Sequence, residues 1–169
     1  MLKTHPVTCH LSIPGGKTER RAGKSRLTIN LTGITMLKNL ELLCSTSGRV
    51  ILGLYFFGPG ALLKIMDIEG TSAYMASQGM VFISFFLILT IAIQLFGGLA
   101  VVIGYKVKLM AFVLAGLTLV INVVMHDFWN IPDQTQNFVK NMGIFAGLLV
   151  LAGLGGGGWS IDSKLAKSK

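Results

Sequence analysis

Residues 80–105 read MVFISFFLILTIAIQLFGGLAVVIGY, twenty-six consecutive positions without a formal charge. The core of a bilayer needs roughly 20 mostly apolar residues in helical form, so this run reads by itself as a membrane span. Three further stretches follow the same logic. Leu109 to Met125 is seventeen uncharged residues, and Asn141 to Ile161 is twenty-one, ending in the glycine cluster Gly155 to Gly158. The weakest lies between Arg49 and Lys64, fourteen uncharged residues whose flanking cations can snorkel to the headgroups. Pro59 inside it, between Gly58 and Gly60, predicts a kink or a loosened turn. The expected fold is an all-α membrane protein, an antiparallel four-transmembrane-helix bundle with helices near 47–66, 81–104, 107–126 and 137–155.

Composition agrees. Of 169 residues, 52% are apolar and 13% charged, where soluble domains carry about a quarter charged residues. A soluble enzyme, a secreted disulfide scaffold and a disordered chain are all poor fits. Cys9 and Cys44 are too few for a disulfide framework and lack metal-ligand spacing. The net charge of +8 would suit nucleic acid, but its placement reads as a topology signal instead. All of the fifteen lysines and arginines except Lys64 and Lys140 fall before the first span, in the connection holding Lys106 and Lys108, or in the C-terminal tail. The opposite side carries Asp67, Glu69, Asp127 and Asp133. By the positive-inside rule, both termini are expected on the cytoplasmic side of a multi-pass protein of the plasma (inner) membrane. Its expected surroundings are the lipid bilayer, not nucleic acid.

Residues 1–35 are basic and punctuated by Pro6, Pro14 and Gly15-Gly16, with no apolar core suited to a signal peptide. Two readings stand: a disordered cytoplasmic extension, or translation that begins at Met36, from which the pattern leads directly into the first helix. The membrane domain is then 36–169.

A polar side chain in hydrocarbon is costly, so its position shows which helix face turns toward protein. Arg49, Gly53, Phe57, Gly60 and Lys64 form one stripe, and Thr90, Gln94, Gly97, Val101 and Gly104 a second. Ala111, Ala115, Thr118, Asn122 and His126 form a third, and Lys140, Gly143 and Gly147 a fourth. Gly97-Gly98 and the small-xxx-small pair Gly143/Gly147 are read as helix-packing devices. Gln94 and Asn122 either hydrogen-bond neighbouring helices or line a polar seam. Lys64 either pairs with Asp67 or Glu69 at the interface or holds a ligand. His126 and Asp127, ahead of Phe128 and Trp129, are either belt anchors or a site of proton exchange. Haem ligation by two histidines, a zinc site and a nucleotide loop are not expected: His126 is the sole histidine beyond the N-terminal extension, and the glycine run follows no strand.

In order along the chain, GRVILGLYFFGPGALLKIMD, TSAYMASQGM, QLFGGLAVVIGYKVKLMA, HDFWN and NFVKNMGIFAGLLVLAGLGGGGWSID resemble the DoxX family of small four-helix membrane proteins over roughly residues 47–163. The matching positions are Arg49, Gly60, Lys64, Gly97, Gly98, His126, Lys140 and Asn141. The family commonly has a glutamate where this chain has Gln94. The resemblance implies an accessory subunit of a membrane redox complex, quinone-linked or thiol-redox, with no self-contained catalytic site. In that reading a quinone is the expected cofactor, and a redox subunit or a second copy the expected partner. Lys64, His126, Asp127 and Lys140 would form the working face, with His126 and Asp127 exchanging protons. Arg49, Gln94 and Asn122 complete the expected ligand-binding set. The alternative is a non-enzymatic membrane scaffold, folding factor or small-molecule carrier, in which Gly97, Gly98, Gly143 and Gly147 weigh most.

Overall fold

A computed structural model describes residues 17–126 and 132–168. Among these residues the chain is helical throughout its regular structure, with no strand. Helix α1 (Lys17–Tyr55) runs on through a π-helical segment, Phe56–Leu62, into α2 (Leu63–Met66). Then come α3 (Ile68–Ser77), α4 (Ile83–Ile103), α5 (Val107–Met125), a 3-10 turn at Pro132–Gln134, α6 (Thr135–Leu154) and α7 (Ile161–Lys167). Four stretches are long and apolar enough to cross a membrane: Gly33–Met66, Ile83–Ile103, Val107–Met125 and Thr135–Leu154.

The chain divides into two units, Met1–Leu40 and Glu41–Lys169. In the first, helix begins at Lys17, within the basic stretch 1–35. Ala, Leu, Lys and Arg are among the better helix formers, and charge alone does not break a helix. Residues 1–16 lie outside the described residues.

In the second unit, consecutive spans run antiparallel. The first span meets α4 with backbone on backbone. A Cβ built on Gly98 would lie 2.7 Å from Phe57 N and 2.9 Å from Gly53 O, and one on Gly53 would lie 2.8 Å from Val102 N. Only glycine allows that approach. Gly97 faces α5, where a Cβ would meet the Leu114 side chain at 3.2 Å. Phe56, Val101, Val107, Leu114 and Leu148 fill the space between the four spans. Phe85, Ile88 and Phe96 of α4 and Leu109, Phe112 and Val120 of α5 face outward, as lipid contact requires. The Gly143/Gly147 pair does not serve as a close-packing device within the chain. Nothing lies within 4 Å of a Cβ on Gly143, and Gly147 meets only Leu52, at 3.6 Å. The buried face of α6 is instead Asn141, Leu148 and Leu151, one step round the helix.

The end of the bundle that holds the C-terminal segment is closed by polar contacts. Arg49, 3% exposed, donates from Nη2 to Trp159 O at 2.8 Å and from Nη1 to Val101 O at 3.4 Å. Asp162 accepts from the backbone N–H groups of Lys106 at 2.7 Å and Val107 at 2.9 Å, placing a carboxylate on the N-terminus of α5. Lys106 has φ 46°, a left-handed conformation that costs a non-glycine residue about 1 kcal/mol or more. Asp162 holds its amide there.

Replacing Gly98 by Ala is expected to destabilise the protein by at least about 1–3 kcal/mol through overpacking. Gly143→Ala should be neutral or gain up to about 1 kcal/mol of helix propensity. Melting temperatures in mild detergent separate the two, and equal values would refute the backbone contact. Asp162→Ala should lower stability by about 1–2 kcal/mol, the usual cost of losing a helix cap, and the same measurement reads it.

Candidate functional site

The site is built from the interruption in the first span. Pro59 has no N–H to donate, so the helix widens there into the π-helical segment, and the N–H of Leu63 reaches back to Gly58 O. Pro59 thus produces the loosened turn that the sequence implied. Gly60 sits against α4, where a Cβ would lie 3.3 Å from Gln94 Cδ. One turn on, the Lys64 ammonium donates to Gly60 O at 2.6 Å and across the helix interface to Gln94 Oε1 at 3.0 Å. Gln94 is 5% exposed. Both acceptors are neutral. Of the two readings of Lys64, the ion pair with Asp67 or Glu69 is not formed: Asp67 Oδ1 accepts instead from Gly70 N at 2.9 Å, capping α3.

From the other side of the bundle comes a chain of side-chain bonds. His126, at the end of α5, places Nδ1 2.9 Å from Gln134 Oε1. The same oxygen accepts from Asn137 Nδ2 at 3.1 Å, and Asn137 Oδ1 accepts from Lys140 Nζ at 3.2 Å. Lys64, Gln94, His126 and Lys140, with Asn137 and Asn141, therefore line one cleft of about 170 Å³. Asp127, the other half of the expected proton-exchange pair, lies outside the described residues.

Two expected ligand groups stand apart from the cleft. Arg49 is at the opposite end of the bundle, committed to backbone carbonyls as described above. Asn122, 1% exposed, donates to Phe138 O at 3.2 Å and ties α5 to α6, while its Oδ1 is buried without a partner in the protein.

A second volume was not anticipated. Helix α3 leans over α4 and α5, held by the Tyr74 hydroxyl donating to Met125 O at 3.2 Å and by packing of Met75 with Leu87 and Met125. Beneath it lies a groove of about 840 Å³, lined by Met75, Leu87, Ile93, Val120 and Val124 among others. Lys64, Ile121 and His126 line both volumes, so the polar cleft and the apolar groove meet at these three residues. No aspartate or glutamate lines either one among the described residues. Gln134 and Asn137 escaped sequence reasoning because each is an ordinary amide beside a loop. Only their i, i+3 spacing, continued by Lys140, hinted at a shared face.

Known proteins provide further constraints. The SURF4 family model matches residues 42–168. The inner membrane protein YqjF of Escherichia coli is 33% identical over 131 residues, an alignment covering 78% of this chain and 98% of that protein. A Surfeit locus protein 4 homolog of Drosophila melanogaster is 34% identical over 74 residues, 40% of this chain and 27% of its own length. The ER-derived vesicles protein ERV29 of Saccharomyces cerevisiae is 28% identical over 80 residues, 44% of this chain and 26% of its own. The chain thus spans nearly all of YqjF and about a quarter of the two eukaryotic proteins. No solved structure matches it. These matches overturn the resemblance to the DoxX family and, with it, the accessory redox-subunit role that the resemblance carried.

The Lys64–Gln94 bond sets the stability of the cleft. Gln94→Leu removes the acceptor from a cation inside a span and is expected to cost about 1–3 kcal/mol. Gln94→Glu, which offers a charged acceptor in the same place, should at least retain wild-type stability. Thermal unfolding of the two variants in detergent provides the comparison, and a Gln94→Leu protein as stable as Gln94→Glu would show that the bond contributes nothing.

Proposed function

The chain belongs to the SURF4 family, and on that premise we propose that it is a non-enzymatic membrane carrier, which holds a small molecule where the polar cleft meets the apolar groove. The observation that carries this reading is Lys64. It is a cation within a membrane span whose hydrogen bonds go only to neutral acceptors, at the junction of the two volumes. An ionisable residue in such a place is retained at a cost and marks a functional site. The surroundings support binding over catalysis. Among the described residues, the His126 ring bonds to an amide oxygen and no hydroxyl, thiol or carboxylate partners it. The groove falls within the size range of small-molecule sites, and its lining is predominantly apolar with a few polar groups, Lys64, Gln78, Thr90 and His126 among them, the usual pattern for such sites.

The proposed location is the inner membrane, the location in the name of the relative YqjF. Both termini are assigned to the cytoplasmic side on the distribution of lysine and arginine. The cleft then lies toward the outer face, since Lys64, His126 and Lys140 sit at the end of the bundle away from Arg49 and α7.

Native mass spectrometry of the untagged protein, extracted from its own membranes in mild detergent, tests the carrier. The wild type should retain a small molecule that Lys64→Met releases. A homo-oligomer carrying only phospholipid, identical in the wild type and the variant, would overturn the reading in favour of a scaffold.

A further inference from the structure

We propose that the occupant of the joined cleft and groove is a long-chain carboxylate, with its head on the Lys64 ammonium and its hydrocarbon tail beneath α3. This rests on the carrier reading above and names the class of molecule carried.

The head follows from charge and hydrogen-bond inventory. An ammonium has three donors, and Lys64 uses two, on Gly60 O and Gln94 Oε1. The remaining donor and the whole positive charge lack a partner, because no acidic side chain lines either volume among the described residues. A ligand anion supplies the missing counter-charge. Among the described residues Lys64 is the one ammonium that lines both volumes, and Lys140, the second ammonium of the cleft, donates to Asn137 Oδ1, so the head is read as a monoanion. Arg49, whose fork would suit a bidentate anion, is spent at the far end of the bundle. The side-chain amides of Gln94, Asn137 and Asn141 add neutral polar groups around the head, in a cleft of only about 170 Å³.

The tail follows from the groove. Its 840 Å³ shares Lys64, Ile121 and His126 with the cleft as lining, and Met75, Leu87, Val120 and Val124 offer apolar surface beyond them. Methionine adapts its shape to flexible chains. Gly116 leaves open space over its Cα, with nothing within 4 Å of an added Cβ, so a bulky residue there would occupy the room of the tail and not that of a neighbouring helix.

The test is binding of tritiated palmitate to the full-length protein in nanodiscs of zwitterionic lipid, read by scintillation proximity. Binding should saturate, be displaced by unlabelled palmitate, and resist equal amounts of hexadecanol or hexadecyl phosphate. Lys64→Met should weaken it about tenfold or more, the worth of one charge-assisted hydrogen bond. Gln94→Glu should do the same while leaving the fold intact, because its carboxylate takes the counter-ion position itself, so it decides the matter if Lys64→Met folds poorly. Gly116→Phe should weaken palmitate but spare octanoate. Unsaturable binding, equal displacement by hexadecanol, preference for hexadecyl phosphate, or unchanged affinity in Gln94→Glu would each overturn the proposal. If palmitate fails to bind while native mass spectrometry still finds a molecule that Lys64→Met releases, the carboxylate is wrong and the carrier stands. If neither is seen, both fall.

Discussion

Backbone meets backbone where the first span crosses α4 at Gly53 and Gly98, and the placing of the polar groups follows from that crossing. With no side chain between the two helices, the next two turns of the first span are held close enough for Gly60 to lie against Gln94. That contact sets the distance from which Lys64 reaches Gln94 Oε1. A single methyl group at Gly98 would push the helices apart, and the lysine would lose one of its two acceptors. Packing and electrostatics in this bundle are therefore one problem. The glycines are needed because a lysine within a span must find its hydrogen bonds inside the protein, lipid offering none.

The interruption at Pro59 belongs to the same arrangement. In a straight α-helix the carbonyl of Gly60 would take its bond from the backbone N–H four residues on. In the π-helical segment the backbone partners shift by one, and the Lys64 side chain donates to Gly60 O. A π-helical turn is rare and is found mostly at functional sites. Here it moves a charged group inward without leaving the carbonyl unsatisfied.

Much of this was legible in the sequence. The four spans could be read from length and apolarity, because hydrocarbon tolerates little else, and Pro59 announced the loosened turn because proline cannot donate. Gly98 was legible as one of a packing pair, but Gly143 and Gly147 look identical on paper and meet almost nothing. Spacing says which residues share a face, not which face meets a neighbour. Helix α3 went unread since ten residues of mixed polarity carry no span-like signal, and with it went the groove that it covers. The resemblance to a redox-linked family rested on Arg49, the paired glycines, His126 and their order. In the structure Arg49 and the glycines hold helices together, so they mark an architecture, and an architecture does not carry a reaction with it.

The two ends of the bundle are built to opposite rules, and that contrast says where a ligand can enter. At one end Arg49 reaches the carbonyls of Val101 and Trp159, Asp162 accepts from the backbone N–H groups of Lys106 and Val107, and α7 is clamped across the α4–α5 turn. At the other end, among the described residues, the cationic Lys64 donates to neutral acceptors, and the helix over the neighbouring groove is tied by the Tyr74 hydroxyl bond and a methionine-rich contact. The apolar side of the groove is rimmed by Val81, Leu89 and Val120, residues that face outward where lipid would be. On the carrier reading, a molecule dissolved in the bilayer would reach Lys64 from this side, tail and head together, without disturbing the Gly53–Gly98 contact.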